Sequence, residues 1–320
     1  MQTLPSAPTT IADFAMILRA GGLVAFPTET VYGLGADAGS SEAVLAIYEA
    51  KRRPRFNPLI AHCADLAMAE TLAEFSPLAK KLATLWPGPL TLVLPRRPGA
   101  PLSDLVTAGL DTVGVRIPNH PMALELIELT GRPLAGPSAN PSGRLSPTTA
   151  AQVIAGFGGT IPVLDGGPCE AGLESTIIKV DGEEVVQLRA GALPRAEIEA
   201  VLGRKIAKAS GHEGIVAPGM MASHYAPRAL LRLEAASPVA GEAYLAFGQA
   251  PHGWRGPLRN LSTSADPREA ARNLFSMLHE LDAAGLGTIA VAPIPTTGLG
   301  EAINDRLLRA AAPRDLNHPG

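Results

Sequence analysis

Short apolar strands set among helical patterns and many turns predict an α/β chain of α+β character. A twisted, largely mixed sheet comes first, and a small parallel α/β unit follows. Three observations carry this reading. Through about residue 200, several strand candidates follow one another with no helix between them. Periodicity then fades from Arg204 to Pro227, where glycine, proline and small residues dominate. Beyond that stretch the order is strand, helix, strand, helix, which suits a Rossmann-like unit because parallel neighbours need a crossover. The expected division is a first domain over 1–205, a linker over 206–228 and a second domain over 229–320.

Leu23 to Phe26 opens as an apolar strand, and Ser41 to Arg52 has a helical pattern. Pro58 to Ala61, Leu90 to Pro95, Val113 to Ile117, Ile161 to Leu164, Thr176 to Val180 and Val185 to Leu188 read as further strands. The last two are split by Asp181-Gly182, a hairpin signal. Ser146-Pro147 signals a helix running to Gly156, with serine as cap and proline in the first turn. Another helix covers Pro194 to Leu202. In the second unit Ala243 to Phe247 is a strand. Asp266-Pro-Arg-Glu269 then opens a helix with a cap, a first-turn proline and a capping-box glutamate. Its stripe of Ala270, Leu274, Met277, Leu278 and Leu281 is a core face, and Gly285 ends it. Thr288 to Pro293 is a second strand, with a helix from about Leu299. This unit carries no G-x-G-x-x-G, so a dinucleotide site there has little support.

The chain of 320 residues is long enough for two domains and a sizeable core. With 46% hydrophobic and 18% charged residues it is globular rather than disordered. An aromatic content of 4% argues against a surface that stacks many bases, and a net charge of -3 against a nucleic-acid coat. Cys63 and Cys169 lie far apart and neither belongs to a C-x-x-C, which excludes a thiolate zinc site and disfavours a disulfide framework. The N-terminal residues lack a basic stretch followed by an apolar core. No apolar run approaches the roughly 20 residues that span a bilayer, so a cytoplasmic protein with no membrane partner is expected.

Two stretches point to chemistry. PTETVYGLG (Pro27 to Gly35) presents hydroxyls and a carboxylate at a strand end, where glycines let a ligand approach the backbone. KRRPRFNPLIAH (Lys51 to His62) places four cations in five residues at a helix end, then an apolar strand ending in a histidine. The cations alone would read as a solvated helix cap. His62 would by itself be a base, a ligand or a satisfied core histidine in open competition. No Walker A sequence, G-x-S-x-G elbow or H-E-x-x-H occurs. Any bound ATP is therefore held by scattered side chains, for which Lys51, Arg53, Arg116 and Arg189 are the natural cations.

These stretches, with WPGPLTLVL (Trp86 to Leu94), DTVGVRIP (Asp111 to Pro118), PSANPSG (Pro137 to Gly143), ESTIIKV (Glu174 to Val180) and LRAG (Leu188 to Gly191), resemble the YrdC-type threonylcarbamoyl-AMP synthases. The blocks fall in matching order over roughly the first two thirds of the chain. PGMMASHYAP (Pro218 to Pro227) resembles the interdomain linker of the long, two-domain form. The resemblance implies a YrdC-like mixed-sheet domain that makes threonylcarbamoyl-AMP and pyrophosphate from L-threonine, bicarbonate (or carbon dioxide) and ATP. It implies magnesium carried with ATP, and a downstream transferase complex that delivers the product to tRNA, itself contacted weakly or indirectly. Thr30, His62, Arg116 and Ser175 resemble the threonine site, with Gly136 offering backbone. Lys51, Arg53, Asn57, Thr112, Ser138, Asn140, Ser146 and Arg189 resemble the nucleotide contacts, and Tyr225 resembles a lid residue over ATP.

Two other readings use the same residues. In one, the basic run from Lys51 to Arg55 lines a concave surface that holds RNA phosphates. In the other, the chain makes a carbamoyl-adenylate for metal-cluster maturation, which calls for acyl-phosphatase and zinc-binding segments that the sequence lacks.

Overall fold

The computed structural model describes residues 8–209, 216–221 and 223–313. Its strands are β1 (Val24–Phe26), β2 (Gly33–Asp37), β3 (Ile60–His62), β4 (Leu90–Pro95), β5 (Thr112–Arg116), β6 (Leu134–Ala135), β7 (Thr176–Asp181), β8 (Glu184–Arg189), β9 (Ala207–Lys208), β10 (Leu230–Arg232), β11 (Ala243–Ala246), β12 (Leu258–Asn260) and β13 (Thr288–Val291). They form a nine-stranded sheet in the order β1-β2-β6-β3-β5-β4-β7-β8-β9 and a four-stranded sheet in the order β10-β13-β11-β12. The first sheet is mixed: β3 with β5, β4 with β7 and β8 with β9 are parallel, and its other pairs antiparallel. Every pair of the second is parallel.

Helices α1 (Ile11–Arg19), α2 (Ser41–Lys51), α3 (Leu66–Leu72), α4 (Pro77–Ala83), α5 (Asp104–Thr107), α6 (Pro121–Thr130), α7 (Ala150–Phe157) and α8 (Arg195–Leu202) accompany the large sheet. Helices α9 (Pro267–Ala283) and α10 (Leu299–Ala311) accompany the small one. The core of the second unit gathers Leu274, Phe275 and Leu278 of α9 with Ile303 and Leu307 of α10. It also takes in Val31, Leu145 and Leu173 from the first unit and Tyr225 from the linker. The domains therefore share apolar burial, and this seats α10 against the first domain.

Register decides where function sits. His62 pairs with Arg116 across β3 and β5, at the C-terminal ends of both strands. Because β4 runs antiparallel to β5 and parallel to β7, the start of β7 lies at that same edge, and Ser175 immediately precedes it. Thr112 pairs with Pro95 at the opposite end of β5.

Several local readings change. The helix expected from Ser146 starts at Ala150: Thr149 caps it, and Gln152 completes a reciprocal capping box. Ile161 to Leu164 forms only an isolated bridge, Val163 to Ala25. The tight turn falls on Gly182-Glu183, with Gly182 at φ +57°. Glu269 makes no capping box; its carboxylate accepts the Ser262 hydroxyl, and Asp266 caps α9 alone. The second unit gains β10 and β12, each three residues long and only partly buried, with no apolar alternation to announce them. Within the expected linker, Ala207–Lys208 joins the large sheet as β9, while residues 210–215 and Ala222 lie outside the described residues.

Candidate active site

The sheet edge bearing His62 and Arg116 opens into a narrow chamber of about 50 Å³. Thr28 and Thr30 come from the β1–β2 connection, Gly136 to Ser138 from the segment after β6, and Glu174 and Ser175 from the approach to β7. Arg53, Arg189 and the linker residues Pro218, Gly219, His224 and Tyr225 complete it.

At one end, the Arg116 guanidinium donates through Nε to the Gly88 carbonyl at 3.3 Å and lies 2.8 Å from Glu29 Oε1 through Nη2. That close approach is poorly aligned: Nη2 and both Glu29 oxygens make no hydrogen bond among the described residues. His62 meets the edge of Phe26 at 5.7 Å between centroids. Burial, and then the neighbouring Arg116 charge, push its pKa down to about 3, so the ring is neutral at physiological pH. Its Nδ1 has no partner among the described residues. Thr28 Oγ1 lies 2.8 Å from Thr30 Oγ1 and donates to the Val31 carbonyl at 2.6 Å, which fixes both hydroxyls. Gly136 is glycine for want of room: a Cβ there would sit 2.8 Å from His62 Nδ1. Its N–H is engaged by the Ile60 carbonyl, so the residue serves by absent bulk rather than by a free amide.

At the other end, Arg53 Nη2 donates to Asn57 Oδ1 at 2.6 Å and to the Pro58 carbonyl at 2.9 Å. Burial brings its pKa down to about 10. Arg189 donates to the Ser175 carbonyl at 2.8 Å and hydroxyl at 3.2 Å through Nη2, and to the Pro218 carbonyl through Nη1. Ser175 Oγ also lies 2.7 Å from Thr91 Oγ1. Lys51 stands behind this wall, donating to the carbonyls of Ser138 and Asn140; burial holds its pKa well below the ordinary lysine value. Asn140 closes its own turn by donating to the Pro141 and Arg144 carbonyls.

Nine of the residues singled out by sequence line the chamber: Thr30, Arg53, His62, Arg116, Gly136, Ser138, Ser175, Arg189 and Tyr225. Lys51, Asn57, Asn140 and Ser146 brace its wall from behind, Ser146 by donating to Glu174 Oε1 at 2.5 Å. Thr112 is not brought there. The basic run also divides. Lys51 and Arg53 are buried while Arg52 and Arg55 are exposed, so the continuous basic surface that an RNA site would need does not form.

Three participants carried no assignment in the sequence: Glu29, Glu174 and Arg306. Arg306 left one signal, since it falls on the stripe Ile303, Leu307, Ala310 of α10, where an arginine needs a buried partner. Glu29 is the carboxylate that the PTETVYGLG stretch presents at its strand end, though without a role; Glu174 left no signal beyond lying inside a quoted motif. Four buried arginines (Arg53, Arg116, Arg189, Arg306) outnumber the two buried carboxylates (Glu29, Glu174) in and behind the chamber wall. Such a surplus of buried positive charge favours an anionic ligand.

The linker closes over this end. Tyr225 is 2% exposed and adopts φ +62°. Its ring lies 4.0 Å from His224 and 5.8 Å from Phe275 between centroids. A Cβ on Gly219, itself at φ +81°, would come within 2.5 Å of the Tyr225 hydroxyl. The Ala226 N–H bonds the Gly143 carbonyl at 2.8 Å, strapping the linker to the turn that contains Asn140.

The Sua5/YciO/YrdC family model, described as "Telomere recombination", matches residues 16–191. A model described as the C-terminal domain of threonylcarbamoyl-AMP synthase matches residues 193–312. The threonylcarbamoyl-AMP synthase of Bacillus subtilis is 41% identical, over 95% of this chain and 93% of that protein. The protein of the same name from Pyrococcus abyssi is 43% identical, over 94% and 93%. A crystal structure of P. abyssi Sua5 complexed with L-threonine superposes with a TM-score of 0.86 at 41% identity, over 94% of each chain.

Proposed function

Because the chain belongs to the Sua5/YciO/YrdC family, we propose that it is an L-threonylcarbamoyladenylate synthase. It joins L-threonine, bicarbonate (or carbon dioxide) and ATP into threonylcarbamoyl-AMP and pyrophosphate, the activated donor for threonylcarbamoyl-adenosine in tRNA. The observation that carries this is one chamber with two unlike ends: Arg116 beside a neutral histidine and a fixed threonine hydroxyl, and Arg53 with Arg189 under an aromatic roof. The first end suits an amino acid, its carboxylate on Arg116 and its hydroxyl and amine toward Thr30 and His62. The second suits a polyphosphate.

The chemistry asks for no enzyme nucleophile. The threonine amine takes up the one-carbon unit as a carbamate, a carbamate oxygen attacks the α-phosphorus, and pyrophosphate leaves. Alignment and charge neutralisation are the protein's contribution. Burial pushes the Cys169 thiol up to about 12 and the Cys63 thiol higher still, so neither supplies a thiolate. Magnesium would be carried on the ATP phosphates; Glu174 is engaged by Arg306 and Ser146. A chamber roofed by Tyr225 would shield an acyl-adenylate prone to hydrolysis. The product then passes to a threonylcarbamoyl transferase complex in the cytoplasm, with tRNA contacted weakly or indirectly. No helix among the described residues is long and apolar enough to cross a membrane.

The test is pyrophosphate release with ATP, magnesium, bicarbonate and each amino acid in turn. A site that hydrogen-bonds a substrate hydroxyl rejects the analogue lacking it. Serine is expected to react weakly and valine hardly at all. Equal release with valine would overturn the assignment. An RNA-binding reading predicts instead a steep loss of binding with salt.

A further inference from the structure

We infer that Arg306, on α10 of the second domain, is a positioning residue for the nucleotide half of the chamber, acting through the Glu174 carboxylate and the Tyr225 ring. The inference rests on the reading above and assigns the second domain a part in it. Arg306 is 1% exposed and its guanidinium is fixed on every side. Nε donates to Glu174 Oε2 at 2.8 Å, Nη2 to the Ala190 carbonyl at 2.9 Å and Nη1 to Asp305 at 2.5 Å. The guanidinium carbon lies 5.1 Å from the centre of the Tyr225 ring, close enough for a cation–π contact.

Each partner belongs to the site rather than to the second domain. Glu174 lines the chamber, and its other oxygen accepts the Ser146 hydroxyl, so one carboxylate couples α10 to the loop before α7. Ala190 follows Arg189, whose guanidinium also lines the chamber. Tyr225 is the roof. Arg306 thus fixes a carboxylate, the main chain beside a phosphate-facing arginine, and an aromatic lid at once. A lysine has one point of charge and could satisfy only part of this set.

Glu174 also supplies a reporter. Burial alone would raise its pKa, but Arg306, then Arg189, then the Ser146 hydroxyl hold it below the ordinary glutamate value. The groups facing it are Arg306 with Asp305 behind it on α10, Arg189 on β8, Ser146 on its loop and the Tyr225 ring. Without Arg306 the first of the groups opposing burial is lost, so Glu174 takes up a proton at higher pH than in the parent.

The experiment compares the full-length chain with Arg306→Met, Arg306→Lys, Glu174→Gln and the Arg306→Met/Glu174→Gln double variant. It measures KM for ATP, KM for threonine, kcat from about pH 5 to 9, and unfolding temperature. Arg306→Met is expected to raise KM for ATP by about tenfold or more while KM for threonine stays within about twofold. Its acid limb should climb toward neutrality, and Arg306→Lys should lie between it and the parent. The double variant should recover activity relative to Arg306→Met, because no carboxylate is left stranded. Unchanged KM values with an unshifted pH profile, whatever the unfolding temperature, would overturn the inference, as would strictly additive losses in the double variant. Should Arg306→Met not fold, Arg306→Lys and Glu174→Gln carry the same KM comparison. Calorimetric ATP binding reads the effect without turnover. A parent chain that binds ATP but releases no threonine-dependent pyrophosphate would fault the assigned reaction and leave the Arg306 comparison standing.

Discussion

Two buried arginine–glutamate pairs serve the chamber, and they are built differently. Arg116–Glu29 lies within the first domain; Arg306–Glu174 joins the two domains. Both close to 2.8 Å. In the second, both carboxylate oxygens accept aligned hydrogen bonds, from Arg306 and from Ser146. In the first, the Glu29 oxygens accept none among the described residues, and Arg116 Nη2 donates none. A buried ion pair repays its desolvation only when its remaining lone pairs and protons are satisfied. The saturated pair therefore braces, whereas the unsaturated one leaves a cation whose donor is free, as the proposed threonine carboxylate site requires. Distance alone does not separate a brace from a binding group; hydrogen-bond satisfaction does.

The largest effect should come from breaking the unsaturated pair. Arg116→Met removes the carboxylate's counter-charge and strands a buried Glu29, at a cost of about 3–5 kcal/mol in stability. Threonine-dependent pyrophosphate release should vanish with it. Glu29→Gln strands the Arg116 charge in turn and should also cost stability, but it keeps the cation, so pyrophosphate release should persist, with KM for threonine changed and KM for ATP unaltered. Thermal unfolding and the two KM values decide the matter. If Arg116→Met unfolded at the parental temperature, the pair would carry no electrostatic weight, and the contrast with Arg306 would collapse.

A smaller effect separates neighbours within the basic run. Arg53 is buried, with its guanidinium fork set by Asn57 and Pro58, whereas Arg55 is exposed. Losing a charged hydrogen bond to phosphate costs about 1.5–3 kcal/mol, or roughly 10- to 150-fold in nucleotide affinity. Arg53→Ala should show that loss in ATP titrations and Arg55→Ala close to none. Equal behaviour would return the run to the status of a solvated face.

That split marks how far the sequence could be read. Motif order placed His62, Arg116 and Ser175 together, and strand register explains why: three strand ends meet at one sheet edge. It did not show that Lys51, Asn57, Asn140 and Ser146 work from behind the wall, since a motif records a residue type and not which way its side chain turns. Ser146 had the local features of a helix cap, yet tertiary demand from Glu174 took its hydroxyl and left capping to Thr149. Thr112 belongs to the same strand as Arg116 but to its far end, a distinction that only pairing reveals. Arg306 lies 132 positions from its partner Glu174, beyond the reach of any local pattern. The short β10 and β12 escaped because partly buried strands of three residues show no period.

The smallest predicted effect sharpens the same contrast through pH. His62 is buried beside Arg116 and refuses a proton until about pH 3, while in the unfolded chain it ionises near 6.5. Between those values the unfolded state binds more protons, so stability falls as pH drops through 6.5 toward 3 and is complete above that window. His224, held far down by burial and then by Arg53, adds to the slope in the same direction. His120 and His279, also lowered by burial, do likewise. Glu174 acts with the same sign but only around and below 4.5, its ordinary value, so between 6.5 and 4.5 the slope comes from the histidines together with the buried Lys51, whose lowered pKa acts in the same direction. Each fully neutral histidine contributes up to about 1.4 kcal/mol per pH unit there. His62→Gln should therefore flatten, without abolishing, the decline of unfolding free energy over that interval, as read by denaturant titration at a series of pH values. An unchanged slope would mean that His62 takes up its proton in the folded chain, and that the Arg116 end of the chamber is wetter and less positive than its geometry implies.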